Sequence, residues 1–439
     1  MVHLNGGSGG PEKAIVAGLV IRDASRSVAE EHLEELAKLV EAAGGMVSAS
    51  ILAKRPAPDP ATYVGKGKAA ELAELARSHG AKLVVFDDDL SPAQIRNLEK
   101  VIEAKVVDRS ALILDIFARR ARSREARTQV ELAQMKYLLP RLTRQWSHLS
   151  RQAGGIGTRG VGETQLEIDR RIIRTRIARL DEELTRIERN RETQRKSRKS
   201  AFTVALVGYT NAGKSTLFNQ LTRGSAEAVD KLFATLDSKL QKSHFDAPRE
   251  TVIIDTVGFI RKLPHHLVAS FRSTMEEAAA ADLVLHVIDG SHPQFEEQRE
   301  VGEALLEDLG ISPDRVIEVY NKADRFAVGS GEQRNSRAVA VSALTGEGCD
   351  RLIEMIRDRE LAEGEVVSLL IPAAESRALA RLHEIAQVRH QENDDDRVRI
   401  EAWIPAYARH HFEAFELHEA PSDKNSDAGR MNVTSGSAL

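Results

Sequence analysis

The chain has 439 residues, room for about three domains, and its 42% apolar and 29% charged content is ordinary for a soluble globular protein. Apolar runs such as Phe202 to Gly208 are far too short to span a bilayer, and Met1 to Gly10 is a Gly/Ser-rich flexible tail rather than an apolar signal-peptide core. The single cysteine, Cys349, excludes an internal disulfide and a cysteine-rich zinc site and fits a reducing, cytoplasmic setting.

The net charge of −4 hides an asymmetry. Residues 109–200 carry 23 Lys+Arg against 11 Asp+Glu, a local excess of +12. Such segregation suggests that this part meets a polyanion while the rest avoids one.

Residues 13–108 alternate short strand-like and helix-like stretches. Ala14 to Ile21, Met46 to Leu52, Lys82 to Phe86 and Lys105 to Val107 read as strands. Val28 to Ala43 reads as a helix stopped by Gly44-Gly45, and Lys68 to His79 as one ended by Gly80. Ser91-Pro92 opens a third helix, with Ser at the cap and Pro at the first helical position. This predicts a small N-terminal α/β domain.

Residues 109–200 differ. Leu132, Met135, Leu139, Leu142, Trp146 and Leu149 are spaced as one heptad seam, and Leu166, Ile173, Ile177, Leu180, Leu184 and Ile187 as a second. Pro140 should kink or break the first helix. Two facing seams in one chain predict an antiparallel hairpin rather than a dimerising coiled coil, and keep the chain monomeric. A helix from Thr164 to Arg198 would be on the order of 50 Å long. The tip, Gly154 to Thr164, is glycine-rich and framed by Arg151 and Arg159. It reads either as a slack linker or as backbone able to fit closely into folded RNA. Residues 201–361 again alternate strands and helices, as in a doubly wound domain. In residues 362–418, Val366 to Ile371 and Val398 to Ile404 read as strands, and Ser376 to Val388 and Ala406 to Phe415 as helices. The fold class is therefore α/β: a flexible tail (1–12), the N-terminal α/β domain (13–108), a long basic helical hairpin (109–200), a doubly wound domain (201–361), a small C-terminal α+β domain (362–418) and a disordered tail (419–439).

The chemistry is concentrated in the third of these domains. The strand Phe202 to Val207 runs into Gly208-Tyr209-Thr210-Asn211-Ala212-Gly213-Lys214-Ser215, a full G-x-x-x-x-G-K-[S/T] match followed by Thr216. Backbone N–H groups of such a turn cradle phosphate oxygens. Lys214 neutralises the β/γ-phosphates and Ser215 offers a hydroxyl to Mg²⁺. Asp255-Thr256-Val257-Gly258 follows a second apolar strand. Its carboxylate suits Mg²⁺, held through water, and the Gly258 amide suits the γ-phosphate. Asn321-Lys322-Ala323-Asp324 follows a third strand. Asp324 can accept from N1–H and the exocyclic amine of guanine, a donor pair adenine lacks. Ser342-Ala343-Leu344 would place Ala343 N–H on the base oxygen. Of Thr222, Thr235 and Thr251, Thr235 is the best candidate for the threonine that a mobile loop brings to Mg²⁺ and the γ-phosphate. Lys214, Thr235 and Gly258 are thus expected at the reacting phosphate, and GTP is the expected substrate. Phe259 stands where many Ras-like GTPases have a water-orienting glutamine, so hydrolysis is either slow or completed by a partner, a rearranged loop or a cation.

The whole pattern resembles the HflX-type GTPases over residues 13–415. Gly154-Gly155-Ile156-Gly157-Thr158-Arg159-Gly160-Val161-Gly162-Glu163-Thr164-Gln165-Leu166-Glu167 carries the likeness most specifically, with Lys231 to Asp237, Asp255 to Ile260, Leu263-Pro264 and Tyr63 to Lys68. The resemblance implies a GTPase that binds the large ribosomal subunit and its rRNA and separates stalled or idle ribosomes under stress. The tip residues Arg151, Gly155, Gly157, Arg159, Gly160 and Gly162 would then face the peptidyl-transferase centre. In GTPases that resemble TrmE, an asparagine at the position of Asn211 helps hold K⁺. A GTPase of ribosome assembly or RNA modification is the alternative, and a signalling switch with a protein partner a third. Gly65-Lys66-Gly67-Lys68 is too short for a phosphate loop and reads as a helix-opening turn. His410-His411 reads as surface, with no third metal ligand in view.

Overall fold

The computed structural model describes residues 11–21, 25–142, 161–197, 201–224, 233, 236–243, 245, 247–262, 272–326, 337–394 and 396–417. The chain forms two compact units, Met1–Asp246 with Glu250–Ile356, and Ala247–Arg249 with Arg357–Leu439.

The first unit begins with β1 (Glu12–Ile21), α1 (Arg26–Ala42), β2 (Gly45–Arg55), α2 (Lys66–His79), β3 (Leu83–Phe86), α3 (Pro92–Ile102) and β4 (Lys105–Asp108). The strands form a parallel sheet in the order β2-β1-β3-β4. Local chemistry sets the helix ends. Gly80 takes the left-handed conformation that stops α2. Ser91 and Gln94 form a reciprocal capping box on α3. Gly65, at φ +86, leads directly into α2, so the Gly65–Lys68 stretch is a helix-opening turn. Helix α4 (Arg109–Arg120) packs its Leu112, Ile113, Ile116 and Phe117 into the core shared with Leu36 and Val85. By packing, α4 joins this sheet, and Ala126, Val130 and Ala133 of the helix that follows it enter the same core cluster. Arg109, part of the basic excess of residues 109–200, is 1% exposed there.

The hairpin consists of α5 (Arg124–Leu138) and α6 (Val161–Ser197). Leu132, Leu180 and Leu184 form its seam, with Met135, Ile177 and Ile187 against them. Helix α5 ends two residues before Pro140, whose ring disfavours helical conformation in the preceding residue. Leu142 therefore leaves the seam and lines a cleft with Ile95, Leu114 and Leu138. The 37 residues of α6 extend for about 55 Å. Arg151, Gly155, Gly157, Arg159 and Gly160, with Trp146 and Leu149, lie outside the described residues. Gly162 falls in the first turn of α6.

Next come β5 (Phe202–Gly208), α7 (Lys214–Thr222), β6 (Lys239–Lys242), β7 (Thr251–Asp255), α8 (Arg272–Ala280), β8 (Leu283–Asp289), α9 (Phe295–Asp308), β9 (Val316–Asn321), β10 (Ala338–Ala340) and α10 (Cys349–Leu361). The sheet order is β10-β9-β8-β5-β7-β6, parallel except for β6 at the edge. Leu217, Phe218, Leu221, Leu352 and Ile356 share one core cluster with the strands, and Met275, Ala278 and Leu306 another. Ligands of such sheets bind beyond the carboxyl ends of the strands.

In the second unit, β11 (Gly364–Pro372), α11 (Ser376–Ile385), β12 (Gln387–Asp394) and β13 (Arg397–Pro405) give an antiparallel sheet in the order β11-β13-β12. Strand β12 is not expected from the sequence, in which the preceding helical pattern runs on to Val388; the helix ends at Ile385. The β12 sequence QVRHQEND has one apolar residue and no alternation to reveal it. Ala406–His411 and Glu413–Phe415 are 3₁₀ turns and not one α-helix. Among the described residues no helix is long and apolar enough to cross a membrane.

Candidate functional site

The four sequence motifs converge at the carboxyl ends of β5, β7, β9 and β10. The strand β5 is buried on both faces, and the turn after it opens helix α7. Gly213 sits at φ +93, and an added Cβ there would lie 2.1 Å from Asn321 Nδ2. Only glycine fits a turn this close to β9. Asn321, 2% exposed, locks the arrangement: its Nδ2 donates to Ala212 O (2.8 Å) and its Oδ1 accepts from Ala343 N (3.0 Å). The N–H assigned by sequence to the base oxygen is thus held by Asn321.

Lys214 is buried, with Nζ donating to Gly208 O (3.1 Å) and Tyr209 O (2.8 Å). Burial pushes its pKa down to about 8, against the opposing pull of Asp255. Ser215 Oγ donates to Asp255 Oδ2 at 2.8 Å, so the hydroxyl and carboxylate expected around Mg²⁺ are adjacent. Thr256 is structural, its hydroxyl donating to Leu206 O (2.7 Å), and Val257 is buried. Thr216 lies in the first turn of α7. Thr235 lies outside the described residues.

At the other end of the site, Asp324 Oδ1 accepts from Ser342 Oγ (2.6 Å). That hydrogen bond, with lesser help from its backbone, Arg325 and Lys322, holds the carboxyl below the usual aspartate range. Lys322, at φ +67, reaches Asp289 Oδ2 (2.5 Å). Leu344 is 74% exposed.

Phe259 is 1% exposed, its ring in the core. Its backbone instead staples two motifs together: Phe259 N donates to Gly208 O (2.9 Å) and Thr210 N to Phe259 O (2.7 Å). Asn211 is exposed at φ +66 and lines a cavity of about 330 Å³ with Glu31, Glu34 and Gln298.

The sequence reading missed what surrounds the phosphate loop. Tyr209 Oη donates to Glu35 Oε2 on α1 (2.6 Å) and accepts from Arg261 N (2.8 Å). Burial, then the Glu35 charge, pushes the phenol up, so it stays a donor. Glu35 also pairs with the buried Arg109, which holds Asp87 at 2.6 Å. Burial pulls the Arg109 pKa down, but Glu35 and Asp87 outweigh it and keep the guanidinium charged. Lys262 Nζ meets Asp87 Oδ2 (2.7 Å) and Asp88. Separately, Asp237 accepts from the backbone N–H of Arg122 (3.0 Å) and Ser123 (3.2 Å) at the start of α5. The acid run Asp87-Asp88-Asp89 and the pair Arg261-Lys262 were the available signals, but charge alone names no partner.

Fold and site together define a P-loop domain of the G-protein class. Family models describe three successive parts of the chain: "GTP-binding GTPase N-terminal" over residues 30–118, "GTP-binding GTPase Middle Region" over 120–198 and "50S ribosome-binding GTPase" over 203–322. The chain is 46% identical over 396 residues to the GTPase HflX of Caldanaerobacter subterraneus subsp. tengcongensis, covering 90% of this chain and 91% of the relative. It is 45% identical over 373 residues to the GTPase HflX of Escherichia coli K12, covering 83% and 88%. A GTP-binding protein of Sulfolobus solfataricus, solved in complex with GDP, matches at 24% identity and TM-score 0.44, over 80% of this chain and 99% of that one. The chain belongs to the HflX GTPase family.

Proposed function

We propose that this GTPase binds GTP across residues 208–216, 255–258, 321–324 and 342–344 and uses its hydrolysis to act on the large ribosomal subunit, dissociating stalled or idle ribosomes. The observation that supports the first part most is the convergence of Lys214, Ser215, Asp255 and Gly258 at adjacent strand ends. Backbone N–H groups of the loop cradle the phosphates, Lys214 neutralises the β/γ-oxygens, Gly258 N–H meets the γ-phosphate, and Asp324 selects guanine. An adjacent hydroxyl and carboxylate are hard oxygen donors that suit Mg²⁺, which neutralises phosphate charge when bound. Ser215 would hold it directly, Asp255 through water, and Thr235 would complete the set. The exposed Asn211 amide could share K⁺ with the phosphates, which predicts faster turnover in potassium than in sodium buffer.

The ribosomal part is supported by the "50S ribosome-binding GTPase" description of residues 203–322 and by the charge excess of residues 109–200. Cationic surface favours phosphate-rich RNA. We read the layout as a small N-terminal α/β domain, an antiparallel hairpin whose glycine-rich tip (Arg151, Gly155, Gly157, Arg159, Gly160, Gly162) contacts rRNA, the G domain and a small C-terminal α+β domain, in a monomer. Sedimentation through a sucrose gradient with a non-hydrolysable GTP analogue tests it. Co-migration with the large subunit is expected, and its absence removes the ribosomal reading.

A further inference from the structure

Thr210, the third residue of the phosphate loop, has a side chain that the backbone cradle leaves without a task. Its N–H is bonded to Phe259 O (2.7 Å). Its Oγ1 is buried without a hydrogen-bond partner, in a residue 7% exposed. Buried hydroxyls without partners are uncommon and call for an explanation. The surroundings supply one. A Cβ added to Gly258 would lie 2.8 Å from Thr210 Cγ2, 2.9 Å from Thr210 Cα and 2.9 Å from Lys214 Nζ. The Thr210 methyl, Lys214 Nζ and Gly258 thus meet at one point, with the Thr210 hydroxyl carried on the same β-carbon as that methyl, and Lys214 and Gly258 are the groups expected on the γ-phosphate. Phe259, stapled beside them with its ring in the core, offers no polar side chain to a water molecule.

We propose that the Thr210 hydroxyl is the water-positioning group of this GTPase. A hydroxyl can donate and accept at once. Here it accepts a hydrogen bond from the attacking water and so aims the water oxygen at the γ-phosphorus. The water oxygen bonds to the γ-phosphorus as the bond to the β–γ bridging oxygen breaks, and the water proton passes to a phosphate oxygen. Position and orientation of the nucleophile are most of what phosphoryl transfer asks of a protein.

The inference rests on residues 208–215 being the phosphate cradle, and the test separates the two. Full-length protein is assayed without ribosomes for single-turnover GTP hydrolysis and for binding of a fluorescent GTP analogue. T210V, which keeps the shape and removes the hydroxyl, should hydrolyse about 10- to 100-fold more slowly with affinity within about twofold of wild type. T210S should recover most of the rate. Unchanged or faster hydrolysis in T210V overturns the proposal, as does a rate loss matched by an equal loss of affinity. GTP binding unaffected by Lys214→Ala would instead overturn the cradle itself.

Discussion

The inner face of the loop Gly208–Ser215 is held by neighbours set by strand order: Asp255 at the end of β7, Asn321 at the end of β9 and the Phe259 backbone beside Gly208. Its outer face is held by Glu35, 174 residues before Tyr209, and through Glu35 by Arg109 and Asp87. Tyr209 and Thr210 are adjacent, yet one binds the outer network and the other lies against Gly258. That follows from the strand-like pairing of Tyr209 with Phe259, since successive side chains of extended backbone point to opposite sides. The residues expected at the nucleotide and those bonded to the outer network are therefore adjacent on the loop (Thr210 and Tyr209) and three apart on the segment after Asp255 (Gly258 and Arg261).

Substitutions on the two faces should separate their roles. Lys214→Ala removes the only side-chain cation that this loop aims inward, and GTP binding should weaken at least about 1000-fold, roughly 4 kcal/mol, by calorimetry. Wild type should also show the buried amine's pH dependence. Its pKa in the free protein lies near 8, below the ordinary lysine value of 10.5, so above pH 8 the amine is neutral and GTP must recharge it. Affinity should fall by up to about tenfold per pH unit between 8 and 10.5, with proton uptake on binding. A flat profile over that range would take Lys214 off the phosphates. On the outer face, Arg109→Met leaves Glu35 with Tyr209 and the longer pair to Arg261 (3.7 Å), and the buried Asp87 with Lys262. Stripping a buried charge of its partner costs about 3 kcal/mol or more, readable as a fall in the urea midpoint at constant m-value.

Asp324→Asn tests the far end of the inner face. The amide loses one acceptor for guanine and gains a donor that suits the oxygen of xanthine. GTP should weaken about 100-fold (roughly 2.7 kcal/mol) and XTP should overtake it. Unaltered GTP selectivity in a competition assay would displace Asp324 from the base. The same substitution should leave the outer network, and hence the unfolding midpoint, close to wild type, because Asp324 is bonded to Ser342 and not to the first sheet.

The inner face was legible because its motifs are contiguous and each residue type has a stated chemistry: Gly213 for the turn, Lys214 for phosphate, Asp324 for guanine. The first parallel sheet was legible too, since helix ends such as Gly80 and Ser91-Pro92 are local. The outer face was not. Glu35 reads as one more polar position on an amphipathic helix, and Arg109 as one more cation in a basic segment. Only tertiary packing makes them a pair. Part of the apparent basic excess also disappears on folding, because Arg109 is buried against Glu35 and Asp87; the pairs of Arg176, Lys136 and Arg124 with Glu131, Asp181 and Glu183 across α5 and α6 neutralise as many acids as bases and leave the excess itself unchanged. Strand β12 stayed hidden for the opposite reason: hydrogen bonds to β13 specify it, and its own side chains do not.

Tyr209→Phe gives the smallest expected effect and the sharpest test of whether the two faces act together. From within the phosphate loop the phenol links α1 to the segment after Gly258, donating to Glu35 and accepting from Arg261 N–H. Phenylalanine keeps the ring packing and removes only the hydroxyl. Glu35 retains Arg109, so the loss of stability should be about 1 kcal/mol. Arg261 N–H, however, loses its acceptor, and the hold of α1 on the loop passes to charge pairs alone. If the faces are coupled, GDP should dissociate about two- to threefold faster, equivalent to roughly 0.5 kcal/mol, in stopped-flow release of a fluorescent GDP analogue. A wild-type release rate, with the stability loss present, would mean that α1 supports the loop without influencing what the loop holds.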